Sequence, residues 1–442
     1  MQFMKTEIPE GYKNTPVGII PEEWEVKRLE EIAEITSGAT PSRKMADNWN
    51  GNIPWVTTSL LNNARILSAE EYITQTGLDN SATKILPLNT VLMAMYGQGQ
   101  TRGKVSILRI EAATNQACAA LIMNNGTRFD YIFYQLSNMY DIIRNLSNDG
   151  SQKNLNLQLI KNIEVVLPPL LEQQKIAEIL SMWDVAIEKQ TLLIEKLELR
   201  KRGLMQQLLT GKKRLKGFDG EWKKVKIGEI GNISSAGVDK TINEHETPVR
   251  LLNYLDVYRR DFLFNSEINQ WVTAKKEKIV NCSVKKGDVF FTPSSEVPND
   301  IGNSAVAMED IPNTVYSYHV VRLRIFDDWD LKFRAYAFKT DYFYKQAERF
   351  CDGSGQRYVI SQTNFRNISV VVPEKKEEQT VIAEILSTAD LGIHVAKEKL
   401  EQLKKQKKGL MQVLLTGKKR VITTTNTQTN ENIRNQESIR AV

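Results

Sequence analysis

Few of the residues that mark metal-binding or disulfide-rich proteins occur in this sequence. Its 442 residues include three cysteines and three histidines. The cysteines are odd in number and far apart, which fits a reducing compartment and gives no disulfide framework. Neither a Cys-x-x-Cys nor a His-x-x-x-His spacing occurs, so these residue types offer no set of zinc ligands. We expect no metal site in this chain.

Long apolar segments are also missing. A membrane-spanning helix needs about 18 or more apolar residues in succession, whereas the longest candidate run, residues 117–123, has seven. The first 13 residues carry acids and a proline where a signal peptide needs an apolar stretch. We therefore expect a cytoplasmic protein that has no membrane partner.

Signatures of catalysis are missing as well. Residues 96–104 (YGQGQTRGK) look like a phosphate-binding loop, but such a loop needs a glycine where Gln98 stands and a hydroxyl where Val105 stands. No Gly-x-Ser-x-Gly elbow is present, and no Gly-x-Gly-x-x-Gly fingerprint opens a helix. We therefore expect a protein that is not itself an enzyme and that holds no cofactor.

The most informative feature that is present is an internal repeat. Residues 172–214 and 378–420 align without a gap at an offset of 206 residues, and 24 of the 43 aligned pairs are identical. An offset near half the chain length indicates one duplicated unit rather than a solenoid of short repeats. The chain is also too long for one ordinary core, which indicates at least two domains. We expect a duplicated protein to bind something that itself has two parts.

Both copies of the repeat have the pattern of a long helix. Each follows a proline (Pro169 or Pro373) and ends at Thr-Gly, where Gly211 or Gly417 is expected to take the left-handed conformation that closes a helix. Apolar residues recur every 3.5 positions over about four heptads, which predicts a coiled-coil seam along a helix about 60 Å long. The duplication and the helix length favour antiparallel pairing of the two copies. The predicted seam consists of Ile176, Leu180, Trp183, Ile187, Ile194, Leu197, Leu204, Leu208, Ile382, Leu386, Ile393, Leu400, Leu403, Leu410 and Leu414.

The net charge of +6 is concentrated in part on these helices. Residues 195–216 contain eight lysines and arginines against two glutamates, and residues 397–420 contain nine against two. A single run of this kind is usually a solvated helix face. Its recurrence at equivalent positions favours a polyanionic partner, but it does not decide whether the runs contact DNA or protein.

The two sequence blocks that flank the first helix share several features at equivalent positions. Each opens with a tryptophan, contains a strand-like run (residues 88–94 or 286–292) and ends in an extended run into a proline, while the interiors diverge. We predict a mixed α+β protein with two α/β domains of one fold. The predicted boundaries are an N-terminal extension at 1–23, a first domain at 24–168, a first helix at 169–213, a second domain at 214–372, a second helix at 373–418 and a disordered polar tail at 419–442.

Candidate DNA contacts lie in polar loops of the two domains. Base edges in a major groove are read by arginine, glutamine, asparagine or serine side chains on elements that can enter it. For the loop at 96–104, a plain hairpin whose glycines supply positive φ is an equally good interpretation. The candidates are Gln98, Gln100, Arg102, Lys104, Arg259, Arg260, Ser295, Asn299, Gln356 and Arg357.

Several strings in the chain resemble the specificity (S) subunit of type I restriction–modification systems. They are IPEEW at 20–24, PPLLEQQ at 168–174, IAEILS at 176–181 and LLTGKKRL at 208–215, together with the second copies of the helix signatures. The resemblance implies two target-recognition domains, each reading half of a bipartite, asymmetric site in double-stranded DNA, held apart by the coiled coil. It also implies two modification (M) subunits and restriction (R) subunits as partners, which bind S-adenosylmethionine, ATP and Mg²⁺.

Two interpretations from different classes stay open. In the first, the chain is a non-catalytic reader of DNA sequence and a scaffold for partner subunits. In the second, it is a coiled-coil protein that tethers two protein ligands without contacting DNA. The missing motifs argue against a third interpretation, an enzyme with its own nuclease or methyltransferase site.

Overall fold

The computed structural model describes residues 8–97, 100–146, 154–355 and 357–422. The chain divides into two compact units, unit 1 (Met1–Lys189 and Leu400–Val442) and unit 2 (Gln190–Lys399). Each unit therefore contains the first part of one long helix and the last part of the other. Of the tail that we predicted to be disordered at 419–442, residues 419–422 are described, and Val421 among them is buried. From residue 423 onward the tail lies outside the described residues.

Unit 1 is a mixed α/β body. Its strands are β1 (Tyr12–Thr15), β2 (Gly18–Pro21), β3 (Glu25–Arg28), β4 (Ala33–Ser37), β5 (Trp49–Val56), β6 (Arg65–Ile66), β7 (Glu71–Ile73), β8 (Val91–Ala94), β9 (Val105–Leu108), β10 (Ala113–Thr114), β11 (Cys118–Met123) and β12 (Glu164–Leu167). Its helices are α1 (Leu29–Ile32), α2 (Gln75–Asp79), α3 (Phe129–Asn138), α4 (Tyr140–Asn145), α5 (Leu157–Lys161) and the first part of α6 (Leu170–Leu208), with 3₁₀ helices at Ala46–Asn48 and Thr58–Asn62.

Unit 2 is also a mixed α/β body. Its strands are β13 (Trp222–Lys226), β14 (Gly231–Ser234), β15 (Thr247–Leu252), β16 (Phe262–Leu263), β17 (Trp271–Ala274), β18 (Ser283–Val284), β19 (Val289–Phe291), β20 (Ser294–Ser295), β21 (Ser304–Ala307), β22 (Ile311–Tyr316), β23 (Val321–Ile325), β24 (Cys351–Ser354), β25 (Arg357–Ile360) and β26 (Ser369–Pro373). Its helices are α7 (Ile227–Ile230), α8 (Tyr254–Tyr258), α9 (Lys276–Asn281), α10 (Phe333–Ala337), α11 (Asp341–Phe350), α12 (Gln362–Asn367) and the first part of α13 (Lys376–Leu414), with 3₁₀ helices at Asn265–Glu267 and Pro298–Asp300.

The two units share one sheet topology. The five-stranded sheet has the order β4-β11-β8-β9-β6 in unit 1 and β14-β23-β19-β21-β16 in unit 2. In both sheets the first three neighbouring pairs are antiparallel and the last is parallel. The opening and closing strands of each block also pair, β3 with β12 and β13 with β26. The prediction of one mixed α/β fold present twice is confirmed.

Both faces of each five-stranded sheet are buried. In β8, Val91 and Met93 belong to the apolar cluster that includes residues of the long helices, whereas Leu92 belongs to a cluster on the opposite face. Strand β19 alternates between two clusters in the same way. Because neighbouring side chains of a strand point to opposite faces, burial on both faces explains why these strands are continuous apolar runs.

The two long helices have the predicted length and ending. Helices α6 and α13 each span 39 residues. Beyond their last turns, Gly211 and Gly417 have φ of +67° and +70°, the left-handed conformation expected of a closing glycine. Over the described ranges of the chain, no helix combines the length and the apolar character needed to cross a membrane.

Within each unit the two helices pack antiparallel. In unit 2, the side-chain amide of Gln190 donates to the carbonyl of Ala396 at 2.9 Å, and Lys397 pairs with Glu198 at 2.7 Å. Gln190 and Ala396 are equivalent positions of the two repeats, so a polar seam residue is satisfied by the backbone of its own counterpart. A polar residue at such a position typically fixes the register of a helix pair.

The predicted seam residues are all at least half-buried. Those with 8% exposure or less are Ile176, Leu180, Ile194, Leu208, Ile382, Leu386, Ile393 and Leu414. Those of intermediate exposure are Trp183, Ile187, Leu197, Leu204, Leu400, Leu403 and Leu410. Burial is most complete where the helices also contact the sheets of their units, because there the helix is covered from more than one side.

The glutamate that opens each repeat forms an ion pair with the arginine that closes the other repeat. In unit 1, Glu172 accepts from Nε of Arg420 at 2.9 Å, and the glutamate side chain is 2% exposed. In unit 2, Glu378 accepts from Nε of Arg214 at 3.0 Å and is 4% exposed. Each unit is thus closed by a charge pair that joins the two copies of the repeat.

The glutamine that follows this glutamate anchors the helix to its own domain. In unit 1, Gln173 accepts from the backbone N–H of Arg128 at 2.9 Å and donates to the carbonyl of Pro168 at 2.8 Å. In unit 2, Gln379 accepts from the N–H of Asp330 at 2.9 Å and makes the corresponding proline bond. The Glu-Gln pair of the repeat therefore has a structural role in both units.

A second repeated contact lies further along the helices. Tyr134 donates to Asp184 at 2.6 Å in unit 1, and Tyr336 donates to Asp390 at 2.7 Å in unit 2. Each aspartate also forms an ion pair with a lysine of the other helix. Burial, together with the neighbouring aspartate, raises the pKa of both tyrosines, so their hydroxyls stay protonated and donate.

Substitution of Arg420 by alanine is expected to loosen unit 1 selectively. It leaves the buried carboxylate of Glu172 without its cation, and breaking a buried pair in this way costs on the order of 3 kcal/mol. Hydrogen exchange measured by mass spectrometry should be faster in residues 170–189 and 400–420 and unchanged in unit 2. The matched control, Arg214→Ala, should give the opposite pattern. Equal effects of both variants on both units would contradict the pairing of Glu172 with Arg420 in unit 1 and of Glu378 with Arg214 in unit 2.

Candidate nucleic-acid interface

The candidate contact loops lie at equivalent places in the two units. In unit 1, the loop at 95–104 joins β8 to β9; in unit 2, the loop at 292–303 joins β19 to β21. We call these the first and second interface loops. Beside each lies a short helical segment, Thr58–Asn62 after β5 in unit 1 and α8 after β15 in unit 2. Strands β5 and β15 belong to a second sheet of each unit, with the orders β10-β5-β7 and β17-β15-β22-β18. The two interface loops thus lie on one corresponding edge of the fold.

The first interface loop is held by the protein through two of its predicted contact residues. Arg102 donates to the carbonyl of Arg144 at 3.0 Å, and Lys104 donates to the side chain of Asn62 at 2.7 Å. Gln100 is exposed, and its carbonyl accepts from Tyr140 at 2.6 Å. Gln98 lies outside the described residues. Of the predicted contacts here, Gln100 presents its side chain to solvent, whereas Arg102 and Lys104 hold the loop.

The glycines of this loop have a conformational role. Gly97 and Gly103 have φ of +142° and +83°, values that side chains with a Cβ rarely adopt. The two φ values agree with a hairpin between the antiparallel strands β8 and β9, and contact of this loop with DNA stays a prediction.

Two of the residues of unit 2 that we predicted to contact DNA, Ser295 and Arg357, line one cleft, whereas the predicted Arg259 and Arg260 do not line it. The cleft has a volume of about 490 Å³. Strand β20 pairs with β25, with Ser295 opposite Tyr358, and this pairing places the start of β25 next to the second interface loop. The lining residues are Tyr254, Tyr258, Ser294, Ser295, Glu296, Val297, Asp300 and Arg357. Asn299 is exposed on the adjoining 3₁₀ helix, and Gln356 lies outside the described residues.

A pair of stacked tyrosines forms one wall of this cleft. The rings of Tyr254 and Tyr258 lie 5.8 Å apart at 17° to each other, as their spacing of four residues on a helix allows. Tyr254 donates to the carbonyl of Ser294 at 3.0 Å, and Tyr258 donates to Asp300 at 2.8 Å. The hydrogen bond to Asp300 raises the pKa of Tyr258, and partial burial raises that of Tyr254. Both rings are thereby fixed to the second interface loop.

The two arginines that follow α8 differ in their surroundings. Arg260 donates to Asp256 at 2.8 Å and lies 3.6 Å from Glu267. Arg259 is exposed at the residue where α8 ends. Arg260 therefore holds α8 in place, and Arg259 presents its charge to solvent.

A histidine and a lysine lie near Arg357 of the cleft. His319 packs against Tyr318 with 3.8 Å between ring centroids. Partial burial lowers the pKa of His319, and the neighbouring charges of Lys240 and Arg357 lower it further. His319 is therefore uncharged near neutral pH, whereas Lys240 and Arg357 are cations that both act on the same imidazole.

Several of these residues were not predicted from the sequence. Tyr254 and Asp300 line the cleft, and Lys240 and His319 lie beside it. In unit 1, Arg43 was missed as well: its guanidinium lies 3.7 Å from the ring centroid of Trp49 and forms an ion pair with Glu71 that raises its pKa. A usable signal for the tyrosines was their four-residue spacing after Asn253, whose side chain caps α8.

The described residues show no metal-binding group. Among them, no three His, Cys, Asp or Glu side chains lie together in a way that could hold an ion.

Comparison with known proteins identifies the family. Residues 21–199 and 219–405 each match the type I restriction modification DNA specificity domain. The chain belongs to this family. The resemblance seen in the sequence is thereby confirmed, and each match to the specificity domain includes a recognition block and part of a long helix.

Individual specificity subunits match over most of their length. The type I restriction enzyme MjaVIII specificity subunit of Methanocaldococcus jannaschii is 26% identical over 435 residues, covering 95% of this chain and 98% of that protein. The S subunit structure from M. genitalium has a TM-score of 0.53 at 16% identity and covers 90% of this chain and 97% of its own. A structure from work on assembly and conformational transition of the type I system has a TM-score of 0.57 at 15% identity, covering 90% and 99%. At such identities the structures show the shared fold alone.

Substitution of Arg102 by alanine is expected to loosen the first interface loop in the absence of DNA. It removes a charged hydrogen bond to the carbonyl of Arg144, and such bonds contribute about 1.5–3 kcal/mol. Hydrogen exchange should become faster in residues 100–105 and 140–146. The control Gln100→Ala keeps the backbone bond from Tyr140 and should leave exchange unchanged. Unchanged exchange in Arg102→Ala would instead favour a side chain available for DNA.

Proposed function

We propose that this chain is the non-catalytic specificity subunit of a type I restriction–modification complex. Each unit reads one half of a bipartite, asymmetric site in double-stranded DNA. Two modification subunits and restriction subunits assemble on the chain in the cytoplasm. These partners bind S-adenosylmethionine, ATP and Mg²⁺ and carry out methylation, ATP hydrolysis and cleavage.

The observation that supports this proposal is that the two units have the same fold but different side chains at their interface loops. The first interface loop and the segment Thr58–Asn62 contain no acidic residue, whereas the second interface loop contains Glu296 and Asp300 beside two tyrosines. A protein that only tethers two ligands has no need for such divergence within an unchanged sheet order. Two readers of different base sequences require it, because base edges differ in their donors and acceptors.

The basic runs of the helices support a DNA-bound assembly. Lys404, Lys405 and Lys408 are exposed on α13. Lysines that neutralise phosphates supply affinity without sequence information and make binding depend on salt. In this proposal the cations contribute affinity, and the two edges contribute specificity.

An asymmetry at the helix starts is relevant to partner binding. Leu170 and Leu171 at the start of α6 are 48% and 53% exposed. Their counterparts in the second repeat are Lys376 and Glu377. Two adjacent exposed leucines favour contact with another protein surface. We therefore propose that the two modification subunits make different contacts with the starts of α6 and α13.

Exchange of residues 24–168 for the corresponding block of a related specificity subunit tests whether each unit recognises its own half-site. The chimaera, assembled with its modification subunit, should select duplexes that differ from the wild-type site in one half only. The other half should be unchanged, because unit 2 and both helices are retained. Binding to the selected duplex should weaken as salt rises.

The reciprocal exchange of residues 222–372 is the control, and it should alter only the other half-site. A chimaera that changes both half-sites, or neither, would contradict the proposal that each unit recognises one half-site. Binding that ignores both DNA sequence and salt would favour the tethering alternative.

A further inference from the structure

We propose that the cleft of unit 2 reads a single G·C base pair. Asp300 accepts a hydrogen bond from the amino group of cytosine, and Arg357 donates to O6 and N7 of guanine. This inference rests on the proposed function, because it names the base pair that one of the two units recognises.

The acidic side chains of the cleft indicate contact with bases rather than with phosphates. Glu296 and Asp300 both line the cleft. Two like charges at close range repel each other, so carboxylates disfavour the phosphate backbone. In the major groove, a carboxylate is matched by an exocyclic amino group, in particular N4 of cytosine. Acidic residues at a DNA-facing edge are therefore explained by base contact.

Asp300 is held ready for such a contact. One carboxylate oxygen accepts from the hydroxyl of Tyr258 at 2.8 Å, and the other accepts from the side-chain amide of Asn303 at 3.0 Å. An ionised carboxylate offers about four acceptor positions, so these two bonds leave room for a further donor. Because its orientation is fixed before binding, less ordering is required when the base arrives.

Arg357 is suited to bind the guanine of the same base pair. It is exposed at the start of β25 and lines the same cleft as Asp300. Guanine presents two acceptors, O6 and N7, which suit the paired donors of a guanidinium, whereas adenine presents one acceptor beside a donor. The cytosine amino group lies next to guanine O6 in the same base pair. A guanidinium and a carboxylate in one cleft thus match both bases of a G·C pair.

The surroundings of the cleft fit this orientation. Lys240 adds a positive charge near the same histidine as Arg357, and neither Lys240 nor His319 lines the cleft. Cations beside a groove-reading site are suited to phosphates, which position a protein on the duplex. The stacked rings of Tyr254 and Tyr258 add an apolar wall that keeps the reading groups close together.

Selection from a library of randomised duplex DNA tests this assignment. The chain is assembled with its modification subunit, and wild type is compared with Asp300→Asn and Arg357→Ala. Wild type should require G·C at one position of one half-site. Both variants should relax that same position, by about 5- to 150-fold in relative preference, and leave the other half-site unchanged. Tyr258→Phe keeps the ring but removes one donor to Asp300, and should relax the position less.

Several results would overturn the inference. They are relaxation at two different positions, a requirement for A·T at the relaxed position, or a uniform loss of affinity in which Arg357→Ala lowers the salt slope by about one, as for a phosphate contact. Glu277→Gln, which removes an exposed acid on α9, is the control and should keep every preference; melting temperatures verify that the variants fold. If wild type selects no sequence at all, the proposed function itself fails.

Discussion

The structure depends on the exchange of partners between the two copies of the helical repeat. Glu172 is buried only because Arg420 neutralises it, and Glu378 depends in the same way on Arg214. A buried carboxylate without a cation is strongly disfavoured, so each unit requires both copies of the repeat for its stability. This requirement explains why the string LLTGKKR recurs unchanged 206 residues later. It also explains why the repeat extends past the helices to the arginines.

The anchoring contacts leave the opposite edge of each unit free to vary. Gln173 and Gln379 join the helices to the domains, and paired strands close each block. The five-stranded sheets then carry loops that take no part in these contacts. One such loop is fixed by Arg102 and Lys104, the other by Tyr254 and Tyr258. Different side chains on one frame are what recognition of two unlike half-sites requires.

The repeat, the long helices and the mixed α/β blocks could all be predicted from the sequence, because heptads, closing glycines and apolar runs are local signals. The contact residues could be predicted only in part. Arg102 has the residue type of a DNA contact, but its role depends on the carbonyl of Arg144, which is 42 residues away. Arg260 instead pairs with Asp256 and Glu267, which are close to it in the sequence. The cleft of unit 2 is lined by both Tyr254 and Arg357, which are 103 positions apart in the sequence. No local sequence pattern predicts contact between such distant residues. The helical spacing of Tyr254 and Tyr258, by contrast, could be recognised in the sequence.

The most direct test is to map DNA methylation in cells that make this chain with its modification subunit, and in cells that make the modification subunit alone. The account predicts a new methylated motif of two unlike short half-sites around a fixed gap, present only when the chain is made. An unchanged methylation pattern, with the modification subunit active and bound to the chain, would contradict the claim that the two units read DNA sequence.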